Sequence, residues 1–139
     1  RLPTEVEWEW FARGGQNAID EGTFDNTYSG SNSINVVAWY YENSGGNNGS
    51  TKDVGLKKPN QLGLYDCSGN VWEWCYDTTE NIEEGKNYIY KAFDSSNINR
   101  RLKAGSWFNY AKVCTVLFRD PGQATYANNG FGFRLVRTV

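Results

Sequence analysis

The residues able to do chemistry are few and unevenly spaced. Cys67, Cys75 and Cys114 are the only thiols in a chain of 139 residues that has no histidine. Without imidazole there is no Ser-His or Cys-His nucleophile pair, no ordinary histidine acid or base and no histidine-ligated zinc. Three thiols cannot all pair within one chain, so the expectation is buried free cysteines acting as small hydrophobes, not a disulfide framework. Asp66 and Asn70 flank Gly69 in a turn, where short polar side chains cap nearby amides. Arg119 and Arg134 are expected as buried guanidinium groups hydrogen-bonded to loop carbonyls. Glu80, Glu83 and Glu84 read as a solvated acidic loop, because paired carboxylates for glycoside chemistry need a fixed separation across a cleft.

A second set of side chains suits contact better than catalysis. The stretch GSWFNYAKVCTVLFRDPG, from Gly105 to Gly122, has turn and packing residues at both ends. Between them Phe108, Asn109, Tyr110, Val113, Val116, Leu117 and Phe118 follow neither a helical nor a strand period. Together with Asp120, Thr125, Tyr126, Ala127 and Asn128 they are the candidate ligand-binding residues. Aromatics with a few polar neighbours form a rigid contact surface at low entropic cost. Ordinary core packing is the alternative, and Val116 and Phe131 suit it best.

The elements that must position these residues are read from local signals. Thr4 followed by Glu7 is a capping box, and Gly14-Gly15 ends what it starts, predicting a helix from about Glu5 to Ala12 with Val6, Trp10 and Arg13 on one face. Gln16 to Asn35 has the Gly, Asn, Ser and Asp content of irregular loop. GNVWEWCYD alternates Val71, Glu73 and Cys75 against Trp72, Trp74 and Tyr76, the pattern of a strand. Trp72, Trp74 and Trp107 are expected in the core. GFGFRLVRTV is expected as a closing strand antiparallel to RLKAGSW.

Six Trp, nine Tyr and seven Phe make the chain unusually aromatic, and its length suits one domain over residues 1–139. A formal net charge of -2 with scattered basic residues gives no footprint for nucleic acid. No apolar run is long enough to cross a bilayer as a helix. The chain has no methionine, so it is expected to begin inside a longer polypeptide, with any signal or lipid anchor in an N-terminal part.

Three blocks in this order, RLPTEVEWEWFARGG, then VGLKKPNQLGLYDCSGNVWEW, then RLKAGSW closing with GFGFR, resemble the formylglycine-generating-enzyme type of domain. The resemblance implies an α+β fold, a variant of the C-type lectin fold, with a small antiparallel sheet and extensive ordered loops. It also implies that this chain is the C-terminal portion of a larger unit. In the enzymes of that family two cysteines beyond the Gly-Ser-aromatic motif bind copper; the matching positions here are Asn109 and Cys114. A copper(I) bis-thiolate site needs both soft ligands, so the oxidase chemistry is not expected. The family also supplies calcium ligands from the block that holds Asp66 and Glu73 as side-chain donors and Gly69 and Val71 as carbonyl donors. That oxygen set would make calcium a structural ion, with no cofactor required for activity.

One subfamily matches the opening stretch more fully. Variable proteins of diversity-generating retroelements carry a GSWxxxAxxC template followed by Arg, Pro-Gly and a GFR ending, as do Gly105-Ser106-Trp107, Ala111, Cys114, Arg119, Pro121-Gly122 and Gly132-Phe133-Arg134. The Asn- and Tyr-rich composition is most similar to the Treponema type. Adenine mutagenesis of AAY codons yields Phe, Tyr, Val, Leu, Thr, Ala, Asp and Asn among others, and all twelve candidate binding residues belong to that set. Lys112 and Gln123 do not. The resemblance implies a ligand-binding display protein, variable over about residues 105–137, at the cell surface or outside the cell, with a protein or cell-surface molecule as ligand. A formylglycine-type oxidase with an altered copper site, and a non-variable adhesion or lectin domain, are the alternatives.

Overall fold

Thr4 starts the first helix as its sequence dictates. The Glu7 N–H donates to Thr4 Oγ1 (3.2 Å) and the Thr4 N–H donates to Glu7 Oε2 (2.8 Å), so two amides that the helix leaves over are satisfied reciprocally. This α1 runs over Glu5–Ala12 in a computed structural model that describes residues 1–79 and 98–137. The acidic cluster Glu80, Glu83 and Glu84 and the Tyr-rich KNYIYKAF lie outside the described residues. The face shared by Val6, Trp10 and Arg13 turns outward, with Val6 and Trp10 nearly half exposed, while Glu5, Trp8 and Ala12 are buried. A glutamate can point inward here because Arg101 and Arg119 both reach its carboxylate.

The expected loop after α1 instead begins with a second short helix, α2, over Gly15–Asp20. Gly14, at φ +94°, turns the chain and its carbonyl accepts from Ala18, which is fully buried. That packing overrides the loop-like composition. Two single-turn helices follow, α3 (Ile34–Val37) and α4 (Tyr41–Ser44). The loops between are ordered by side chains. Asn60 donates to the Phe11 and Ala12 carbonyls and accepts from the Leu62 and Leu64 amides, tying the end of α1 to the turn before residue 64.

The sheet has the order β3-β2-β1-β4, with β1 Trp72–Thr78, β2 Asn99–Lys103, β3 Asp120–Gln123 and β4 Phe131–Gly132. β1 pairs antiparallel with β2 (Glu73 opposite Lys103) and β2 antiparallel with β3 (Leu102 opposite Asp120). The closing strand departs from expectation. β4 lies parallel to β1 on its far side, Trp72 opposite Phe131, and not against the strand of RLKAGSW. With only two residues in β4, its place is set by tertiary contacts: Trp72 donates to the Gly130 carbonyl (2.8 Å) and Phe131 packs edge-on against Trp74.

Strand alternation in β1 places Glu73, Cys75 and Asp77 toward α1 and leaves Trp74 and Tyr76 half-buried on the other face. Trp8 leads the core, with Ala12, Cys67, Cys75, Ala104 and Val116 around it. The Trp8 indole N–H donates to Glu73 Oε2 (2.6 Å), which settles the one polar atom that a buried tryptophan brings. The family resemblance thus gave the right architecture: an α+β unit with a small, mostly antiparallel sheet and long ordered connections.

Candidate ligand-binding site

Gly105 makes the site's backbone. It has φ +66°, and a Cβ there would lie 2.8 Å from Cys114 Sγ, so only glycine lets the loop after β2 close on the turn that carries Cys114. From that point the loop is held on every side. The Trp107 N–H donates to the Asn70 carbonyl (2.9 Å), its indole N–H donates to the Asn129 carbonyl (3.2 Å), and its own carbonyl accepts from Ser44 Oγ (2.7 Å). The Tyr41 N–H donates to the Asn109 carbonyl (3.0 Å). A 3₁₀ turn, Ala111–Val113, then leads to Cys114.

Inside this frame Asn109 has a fixed orientation. The Ser106 N–H and hydroxyl both donate to Asn109 Oδ1, at 2.9 and 2.7 Å. A backbone N–H can only donate, so the amide oxygen must face Ser106 and Nδ2 faces away. The Gly130 N–H fixes Asn128 in the same manner through Oδ1 (2.7 Å). Between these two amides lies a cleft of about 410 Å³, floored by Trp72 and Trp107 and flanked by Phe108 and Phe131. Phe108 meets Trp107 edge-on, with ring centroids 5.3 Å apart.

Of the twelve candidate contact residues, Phe108, Tyr110, Leu117, Asp120, Thr125, Tyr126, Ala127 and Asn128 are exposed, and Asn109, Val113 and Phe118 are half-buried. Val116 is corrected: it is 1% exposed, belongs to the core cluster and donates its N–H to the Thr27 carbonyl, so it presents nothing to a ligand. Phe108, Asn109 and Asn128 line the cleft, whereas Phe118 packs on Trp72 (6.0 Å) and Asp120 sits in β3 on the sheet's edge. Sequence reasoning missed Tyr41. Its ring lies 4.8 Å from Tyr110 and 5.9 Å from Phe108, making a cluster of three aromatics with them. Nothing in the spacing links residue 41 to residue 110; Tyr41 reads as the end of a short apolar run from Val36 that leads into a Gly/Asn/Ser loop.

The residues proposed for calcium are differently occupied. Both Glu73 oxygens are engaged, by Trp8 and by a forked pair of bonds from Arg134 (2.6 and 2.5 Å). Asp66 Oδ2 accepts from the Gly55 N–H (2.8 Å), leaving Oδ1 as a buried oxygen without a hydrogen-bond partner among the described residues. Gly69 is committed to a close approach, since a Cβ on it would lie 2.2 Å from the Trp39 carbonyl oxygen. A cation bound to Glu73 would stand against the Arg134 guanidinium, so the set Asp66, Gly69, Val71 and Glu73 fits calcium poorly. Arg134 also donates to the Tyr65 carbonyl (3.0 Å), as expected of a buried arginine; Arg119 pairs with Glu5 instead of a carbonyl.

Copper fits no better. Asn109 faces Ser106, and Cys114 is buried, its Sγ 4.0 Å from the Ser106 carbonyl. Burial pushes the Cys114 thiol up to about 12, and the nearby Glu42 charge adds to this, so the soft thiolate ligand is disfavoured. All three cysteines are free and buried, as their number suggested.

Comparison with known proteins gives this geometry a family. The family model described as "Sulfatase-modifying factor enzyme 1-like domain" matches residues 1–139. Among solved structures, Treponema denticola variable protein 1 is 39% identical, with a TM-score of 0.79 over 96% of this chain and 45% of that one. The formylglycine-generating enzyme of Streptomyces coelicolor is 39% identical over 96% of this chain and 45% of its own length. The chaperone protein LppX of Paenibacillus barcinonensis is 34% identical over 99% of this chain and 49% of its own. The chain therefore spans about half the length of these three relatives. With the capped α1, the GNVWEW strand and the Gly105 loop all in place, it belongs to the sulfatase-modifying factor enzyme 1-like family.

Proposed function

We propose that this chain is a ligand-binding display module that works without catalysis, its contact surface centred on the loop from Phe108 to Phe118 and on Thr125 to Asn128. One observation carries the reading. The exposed contact side chains Phe108, Tyr110, Leu117 and Tyr126 stand on a backbone held by other groups, chiefly the Asn70 carbonyl, Ser44 Oγ and the Asn109 and Asn128 amide oxygens. Exchange of Phe108, Tyr110, Leu117 or Tyr126 removes none of those bonds, and ordering of the loop is met on folding and not on binding. Likeness to a protein titled a variable protein supports retroelement diversification of residues 105–137, and the expected address is the cell surface or outside the cell. Among the described residues no helix is long and apolar enough to cross a membrane.

Sequencing the surrounding DNA tests the diversification. A near-copy of the coding segment for 105–137 beside a reverse transcriptase, with mismatches confined to template adenines, is the expected result; absence of such a copy would sink it. At the protein level, joint exchange of Phe108, Tyr110 and Phe118 should leave cooperative folding intact and change binding alone. A second reading, an oxidase with an altered copper site, draws on the 39% identity to a formylglycine-generating enzyme and predicts copper-dependent oxygen uptake.

A further inference from the structure

We propose that Asn48 is a site of spontaneous covalent modification, converting through a cyclic imide to aspartate and isoaspartate, while the fold protects Asn129 in the same sequence setting. The tripeptide Asn-Asn-Gly occurs twice in the chain, at 47–49 and at 128–130. An asparagine followed by glycine is open to this chemistry because no side chain shields the glycine nitrogen. The glycine N–H gives its proton to hydroxide, and the nitrogen attacks the asparagine Cγ. As that bond closes a succinimide ring, the Cγ–Nδ2 bond breaks and ammonia leaves, its third proton supplied by water. A second water opens the ring at either carbonyl, giving aspartate or, with the backbone rerouted through Cγ, isoaspartate. No enzyme or oxidant is needed. The two sites share their local sequence, so what separates them is the structure around each.

At Asn129 both flanking peptide planes are pinned. The Gly130 N–H donates to Asn128 Oδ1 (2.7 Å), the Gly130 carbonyl accepts from the Trp72 N–H (2.8 Å), and the Asn129 carbonyl accepts from the Trp107 indole N–H (3.2 Å). Gly130 is itself buried, and Phe131 beside it is paired in β4. Swinging the Gly130 nitrogen onto Cγ breaks these bonds together and unseats the strand. Asn48 is exposed in the loop after α4, and Asn47 does not play the part of Asn128. Asn47 Oδ1 accepts from the Tyr41 hydroxyl (3.2 Å), and the Gly49 N–H donates to the Gly46 carbonyl instead (3.0 Å). That bond closes a single 3₁₀ turn, Gly46–Asn48, in which the Asn48 N–H makes only a long bond to the Gly45 carbonyl (3.3 Å). Gly45 and Gly46 stand at φ +116° and +58°, and with Gly49 they leave the turn little side-chain packing to resist local opening. The carboxylate formed at 48 adds negative charge next to Asn47, and so beside Tyr41 and the aromatic cluster it makes with Tyr110 and Phe108.

The test holds the folded chain at mildly alkaline pH for several weeks beside a sample unfolded in urea. Digests are read by mass spectrometry, with fragmentation that separates aspartate from isoaspartate. In the native protein Asn48 should convert about tenfold or more faster than Asn129, and in urea the two rates should converge as the protection of Asn129 is lost. Asn48→Gln should leave the fold unchanged and abolish the acidic form that accumulates on ion exchange. Comparable native rates, a faster Asn129, or a native Asn48 that stays unconverted would each overturn the proposal. So would a rate ratio in urea equal to the native one, since flanking sequence and not the fold would then be in control.

Discussion

Arg134 grips both oxygens of Glu73 from 61 residues away, Nε to Oε2 at 2.6 Å and an outer guanidinium nitrogen to Oε1 at 2.5 Å. The pair joins β1 to the chain's closing segment, and both side chains are largely buried. Truncation of one partner strands the other charge in a low-dielectric setting. Arg134→Ala should therefore cost about 3–5 kcal/mol, whereas replacing both by Met should cost much less. Urea denaturation of the two single variants and the double one measures this. Near-equal losses in all three would refute the coupling. The same chemistry predicts that EDTA leaves the thermal midpoint of the parent unchanged.

Lys103 is a different case. It is fully buried, with Nζ 3.3 Å from Glu9 Oε2 and 5.4 Å from the Trp8 ring centroid. Burial pulls its amine below the usual lysine value despite the Glu9 charge. Glu9 does not depend on it, because Arg13 already donates two bonds to the same carboxylate at 3.0 Å. Lys103→Met keeps the aliphatic volume and removes a poorly paired buried charge. Its stability should equal the parent's or exceed it by about 1–4 kcal/mol. A clear drop in the urea midpoint would show that Lys103 holds Glu9 more tightly than its geometry suggests.

The thiols should be silent in the folded chain. Burial pushes Cys67 up to about 12 and raises Cys75 above the usual range as well, and Cys114 follows the same pattern. Since the thiolate is the nucleophile, iodoacetamide at pH 8 should leave the native protein unmodified and label all three cysteines once urea unfolds it. Fast labelling of native Cys114 would reopen the question of a metal or redox role beside Gly105.

What could be read from the sequence was what is local. Thr4 and Glu7 announce α1 because a capping box is complete within four residues, and GNVWEW announces β1 through its period. The face of α1 was not legible, since burying Glu5 depends on Arg101 and Arg119, far along the chain. Nor was the parallel pairing of β4, whose two residues carry no pattern of their own. The site shows the same division. Phe108, Asn109 and Asn128 stood out by type, but Tyr41 and the locked orientation of both asparagines arise only when separate loops meet. The calcium set meets the same limit: donor spacing does not reveal that Arg134 pairs with Glu73.

The N-terminal cap makes stability depend on acid. Arg1 donates two bonds of 2.7 Å to Glu7, and the Thr4 amide adds another. The Arg1 guanidinium is the main cause that holds the Glu7 carboxyl down, from 4.5 to about 2. A carboxylate with a depressed folded value stabilises the fold fully above its unfolded value. That contribution is then lost as pH falls from 4.5 through about 2. Glu7 is 42% exposed and Arg1 39%, so screening keeps the contribution to about 0.5–1 kcal/mol, and salt should reduce it further. Glu7→Gln keeps the cap geometry without the charge. It should flatten the acid limb of a stability-versus-pH curve between pH 4.5 and 2 while changing little at pH 7 in high salt. An acid limb of unchanged slope would mean that the Glu7 charge contributes nothing and that the cap is held by its hydrogen bonds alone.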